Sequence, residues 1–125
     1  MELRYTKDHL WGKFESAGIF KFGLSEFAQE ELGEVVYVEL PKEGNKVTSG
    51  TSLCVIESLK SVSELYSPCD GTITSANKKL ILNQGCQLIN TDPLGEGWIF
   101  AIRFENPEDF ATLLSAEEYS NLVAE

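Results

Sequence analysis

Lys60 stands in the stretch VIESLKSVSELYSP, with Glu57 and Ser58 before it and Ser61 and Glu64 after it. An amine flanked by carboxylates and hydroxyls could transfer protons, attack an electrophile or accept a covalent modification. A lysine becomes a nucleophile when burial or a cationic neighbour removes its proton. The charged neighbours here are acidic, so Lys60 is poorly suited to catalysis. It is better suited to being modified by an enzyme that deprotonates the amine itself. A lone lysine is ordinarily a solvated surface charge, but its setting argues for more. Strand-like runs lie on both sides and place Ser58-Leu59-Lys60-Ser61 at a hairpin tip. Such tips usually carry Gly, Asn or Asp. A lysine there is a group that a rigid scaffold holds out to another protein.

The elements that position this tip are short. Residues 1–24 hold alternating runs such as LWGKF and GIFKFGL and read as one or two hairpins. SEFAQEELG changes period. Ser25 can cap a helix over residues 25–32, and Gly33 suits its end. EVVYVEL reads as an alternating strand, with Val36, Val38 and Leu40 on one face and Val35, Tyr37 and Glu39 on the other. Pro41 and Gly44, then Gly50, then Pro68 and Gly71 mark turns and corners between further strands. Residues 78–97 read as loop-rich, and GWIFAIRF as a closing strand. Asn106 and Pro107 open a C-terminal helix with Phe110, Leu113 and Leu114 on one face. Ser115 and Glu118 form a capping box before a second one. Many short strands with helices at the ends predict a mainly β fold, a small flattened barrel or sandwich of one domain over residues 1–125. Lys60 lies near the middle of a segment, about residues 33–77, whose two halves each read strand, turn, strand.

Composition excludes several function classes. The chain has 125 residues and a net charge of −10. Phosphate binding needs a basic face, so nucleic acid is not an expected partner. No apolar run is long enough to cross a bilayer, and no membrane partner is expected. His9 is the only histidine, which leaves no His-based triad or metal site. Cys54, Cys69 and Cys86 are odd in number and form no C-x-x-C, so they read as free thiols in a reducing compartment. No signal or transit segment is visible after Met1. Together these features predict a cytoplasmic location. Trp11 and Trp98 read as packing residues.

The stretch ESLKSVSELYSPCDG closely resembles the lipoyl-attachment hairpin of the glycine cleavage H-protein family, through Glu57, Ser58, Lys60, Pro68 and Gly71. YTKDHLW, LSEFAQEELGEVVYVELP and INTDPLGEGWIF resemble further blocks of that family, in one register from about residue 3 to residue 123. Biotin carriers typically flank their lysine with methionines, whereas Leu59 and Ser61 stand here. Lipoyl domains of the 2-oxoacid dehydrogenases usually show D-K-A and lack the flanking blocks.

The resemblance implies a fold of the biotinyl/lipoyl-carrier type and a cofactor, lipoate, amide-linked to Lys60. It implies that Glu57 serves recognition by the lipoate-attaching enzyme. It implies a non-catalytic carrier of the glycine cleavage system, whose arm takes an aminomethyl group from glycine at the pyridoxal-phosphate decarboxylase. The arm then delivers it to the aminomethyltransferase and is reoxidised by dihydrolipoyl dehydrogenase.

Three departures bear on the region around the arm. Leu10 stands where the family commonly has an acidic residue, Phe27 where it often has histidine, and LILNQGCQLIN is longer than the usual link and lacks its proline. They leave room for an alternative, an H-like carrier that stores lipoyl groups or relays them to other proteins without glycine cleavage. A third reading is an unmodified interaction domain.

Overall fold

The three N-terminal runs fold as antiparallel strands in a computed structural model that describes residues 3–124. They are β1 (Leu3–Tyr5), β2 (Leu10–Ser16) and β3 (Ile19–Leu24). Helix α1 (Glu26–Leu32) follows because the Ser25 side chain accepts from the Ala28 N–H at 3.1 Å and Gly33 ends the helix at φ +83°. Strands β4 (Val35–Glu39), β5 (Lys46–Val47), β6 (Ser52–Ser58), β7 (Val62–Tyr66) and β8 (Gly71–Ala76) come next. After short helical turns, including α2 (Leu88–Thr91), the chain finishes with β9 (Phe100–Phe104) and α3 (Ala116–Val123).

The strands form two antiparallel sheets. One has the order β1-β2-β3-β9-β8-β5, the other β4-β6-β7. The expected mainly β sandwich is therefore present, with the hairpin β6–β7 in the smaller sheet. Its core unites Ile56 of that hairpin with Phe22, Ile73, Phe100 and Ile102 of the larger sheet, all essentially without exposure. Each such side chain contributes about 2 kcal/mol through burial alone. Phe22 stacks on Phe100 at 5.5 Å, and Phe20 stacks on Phe110 at 4.0 Å beyond the sheet end. Among the described residues, no helix is long and apolar enough to cross a membrane.

Three local expectations are corrected. The alternation expected for β4 is broken by a bulge between Val35 and Tyr37. Val35 and Val38 point inward, while Val36 and Tyr37 both face solvent. Within the loop-rich residues 78–97, short helical turns form at Lys78–Ile81, Gly85–Gln87 and Leu88–Thr91, which the Gly, Asn and Pro content did not indicate. After Asn106 the chain makes a 3-10 helix, Pro107–Thr112, without a side-chain cap. Leu114 leaves that face to pair with Tyr5 as a β-bridge. The capping box of Ser115 and Glu118 is present. There, the Ser115 backbone N–H holds the Glu118 carboxyl below its ordinary range.

Candidate functional site

The apolar alternation of β6 and β7 buries Cys54, Ile56 and Leu65 and turns Glu57, Val62 and Glu64 away from the core. Glu57 lies between Tyr37 of β4 and Val62 of β7 in register. It is half-buried and sits one step from the tip. The tip needs no glycine, because a serine hydroxyl closes it. Ser58 Oγ accepts from the N–H groups of Lys60 and Ser61, each at 3.1 Å, and the Ser58 N–H donates to Ser61 O at 2.8 Å. Neither Leu59 nor Lys60 takes a positive φ. The Leu59 N–H donates to Glu34 O at 3.0 Å, so every amide of the turn has a partner.

Lys60 is exposed, and neither ion pair found among the described residues, Lys21–Glu15 and Lys79–Glu96, involves it. Its methylenes lie against Gly33, where a β-carbon would stand 2.9 Å from Lys60 Cε. Beside it opens a cleft of about 500 Å³ between α1, the segment Lys7–His9 and β7, lined there by Ser63–Tyr66. Ser61, the residue after the lysine, is on its wall. The cleft has an apolar floor from Leu24, Leu32 and Leu65, and carboxylates from Asp8, Glu31 and Glu64. An exposed amine on a rigid turn, next to a partly apolar cleft, fits a flexible acyl arm joined to Lys60. Among the described residues, no group of three or more His, Cys, Asp or Glu is placed to hold a metal.

The other residues singled out in the sequence divide. His9 lines the cleft in the left-handed conformation, φ +72°. Its Nδ1 is 2.8 Å from the Tyr119 hydroxyl, which is 2.6 Å from Ser25 Oγ. Its ring tilts against Phe27 at 5.2 Å, so the Phe27 departure builds part of the same wall. Leu10 is sealed in the core, away from the cleft lining. Trp11 is fully buried with its indole N–H on Pro93 O at 2.8 Å, and Trp98 carries the Lys21 ammonium 4.6 Å above its ring. Gly71 is not a corner but the first residue of β8.

Two residues that sequence reasoning left without a role reach this region. Tyr119 joins α3 to His9 and to the cap of α1. Asn90 ties α1 to β4. The signal for Asn90 was its place in the INTDP block; for Tyr119 there was only its position on the apolar face of α3.

A scan against protein families places residues 3–125 in the glycine cleavage H-protein family. The chain belongs to that family. It is 45% identical over 98% of its length to a probable glycine cleavage system H protein of Aeropyrum pernix, covering 83% of that protein. A glycine cleavage system H protein of a Psychrobacter species is 43% identical, with 94% of this chain and 92% of that protein aligned. Among solved structures, a glycine cleavage system H protein from Mycobacterium marinum superposes with a TM-score of 0.86 at 32% identity, covering 99% of this chain and 98% of that one. Family membership agrees with the resemblance seen in the hairpin and its flanking blocks.

The cysteines stand apart from the cleft chemistry. Burial pushes the thiols of Cys54 and Cys69 up to about 12, with Glu39 adding at Cys54 and Asp70 at Cys69. Cys86 is buried with its Sγ 3.6 Å from Val35 O. A thiol of such pKa holds almost no thiolate near neutrality, and thiolate is the reacting form. Cys54 and Cys69 are expected to stay unmodified by a thiol-specific disulfide reagent at pH 8, over a time in which the urea-unfolded chain reacts completely. Rapid labelling of either in the native protein would contradict this.

Proposed function

We propose that the chain is the lipoyl-bearing carrier of a glycine cleavage system, with lipoate amide-linked to Lys60 and Glu57 recognised by the lipoate-attaching enzyme. The carrying observation is the exposed Lys60, without an ion pair among the described residues, on a fully hydrogen-bonded turn beside the cleft. It acts as one unit and has no turnover of its own. A lipoyl group on Lys60 would supply a redox-active dithiolane able to carry an aminomethyl group, with glycine decarboxylase, aminomethyltransferase and dihydrolipoyl dehydrogenase as the partners that load, unload and reoxidise it.

The residues of the chain have the remaining tasks. Ser58 fixes the turn and so presents the exposed Lys60 to an attaching enzyme. Glu57 offers that enzyme a carboxylate at a set distance along the strand. Leu24, Leu32, Leu65 and Phe27 give the cleft apolar walls that exclude water from an arm lying there. Asp8, Glu31 and Glu64 offer charge to a cationic amine brought beside them, with His9 held in place by Tyr119. This supports a carrier that shelters a charged cargo over a relay that only passes lipoyl groups on.

The test is intact mass after incubation with lipoate, ATP and a lipoate ligase. A gain of one lipoyl group, mapped to the peptide containing Lys60, is expected. No gain from folded protein, with a ligase active on another acceptor, would leave only an interaction domain. Loading by glycine and the decarboxylase then separates carrier from relay, because a relay would not be loaded.

A further inference from the structure

The turn bearing Lys60 is exposed but rests on a support. That support is the elbow between α1 and β4, residues 33–35. Glu34 O receives the Leu59 N–H at 3.0 Å. Gly33 gives the lysine its seat, since a β-carbon there would meet Lys60 Cε at 2.9 Å and Nζ at 3.6 Å. The elbow in turn is bound by two distant side chains, Cys86, with its Sγ 3.6 Å from Val35 O, and Asn90, which makes the shorter bonds to both ends. Asn90 Nδ2 donates to Gly33 O at 2.8 Å and to Gln29 Oε1 at 3.0 Å, and its Oδ1 accepts from the Val35 N–H at 2.8 Å. Both amide donors and an acceptor lone pair are thus spent on the two sides of the elbow.

We infer that Asn90 is a positioning residue for Lys60. Through the Gly33–Val35 elbow it sets where the hairpin tip rests and along which wall the lysine leaves the scaffold. This rests on the reading of Lys60 as the attachment site. Without Asn90, the Gly33 and Val35 groups turn to water and the elbow loosens. The tip then samples orientations that an attaching enzyme cannot use. Asn90→Asp has the same outcome by another route. It keeps an acceptor for the Val35 N–H but sets a carboxylate oxygen against Gly33 O.

The test pairs two readouts on the full chain. Amide hydrogen exchange reports the Leu59 N–H, and lipoate ligase kinetics report Lys60. Asn90→Ala and Asn90→Asp are each expected to speed Leu59 exchange about tenfold or more and to lower kcat/KM for lipoylation about fivefold to tenfold, the scale of one lost orienting hydrogen bond. Exchange at Ile56 and Phe100, in the core strands, stays at the wild-type rate. Gln29→Ala removes one of the three bonds and gives a smaller change of the same sign. Wild-type Leu59 protection and wild-type kcat/KM in both Asn90 variants would overturn the inference and leave the carrier reading standing. Equal acceleration at Leu59, Ile56 and Phe100 would also overturn it, because the whole domain would then be opening. A wild-type chain that an active ligase does not modify overturns the carrier reading and, with it, this role for Asn90.

Discussion

Lys60→Arg is expected to take up no lipoyl group and to melt like the parent protein. The loss is complete because an amide to lipoate needs a neutral amine, and the arginine guanidinium keeps its proton under all relevant conditions. The fold is untouched for reasons visible at the tip. The turn is closed by Ser58 Oγ and by backbone groups, not by the side chain of Lys60. The seat against Gly33 touches methylenes, which arginine also has. Intact mass spectrometry and a thermal melt on the same samples check both halves. A lipoyl gain that survives in the variant would move the attachment elsewhere in the chain. A large drop in Tm would show that Lys60 carries structural weight that its exposure does not reveal.

Gly71→Ala is expected to cost about 3 kcal/mol, at the upper end of what an overpacked site exacts. A β-carbon at Gly71 would run into the carbonyl oxygen of Arg103 and stand 3.3 Å from Ile102 Cγ1. The obstacle is the backbone of β9, a strand held on both edges by β3 and β8, so no side-chain rotation relieves it. For a domain of this size the loss lowers Tm by about 10 °C. Gly44→Ala is the control. It lies at φ +90° with nothing within 4 Å of an added β-carbon, so it pays only backbone strain of about 1 kcal/mol. Melting curves that rank the two variants the other way would refute the steric account.

Local rules read the site's scaffold well where a residue acts on its own neighbours. Ser25, Gly33 and the Ser115–Glu118 pair behave as their types and spacing require. The hairpin that carries Lys60 follows from alternation on either side of it. The rules fail where a distant partner decides. The bulge at Val35–Tyr37 lets β4 keep two valines inward on β6, which a strict period of two cannot express. Leu114 leaves its helical face because Tyr5 offers a strand partner more than a hundred residues away. Gly71 reads as a corner in isolation, whereas its smallness serves the approach of β9. The cleft belongs to this second class. Its walls come from three separated segments, and only the lysine, its acidic neighbour and the flanking blocks were legible beforehand.

The larger sheet has its centre made late. In the order β1-β2-β3-β9-β8-β5, strand β9 joins the N-terminal hairpins to β8, and it spans residues 100–104. Synthesis proceeds from the N-terminus at about 5–20 residues per second. Lys60 therefore emerges well before the sheet opposite its hairpin can be completed. Tyr119, which fixes His9 on the cleft wall, comes later still. On the ribosome Lys60 exists for a time without the finished cleft beside it. An attaching enzyme that reads the finished cleft as well as the tip would act only on completed chains, and modification by it would then mark correct folding.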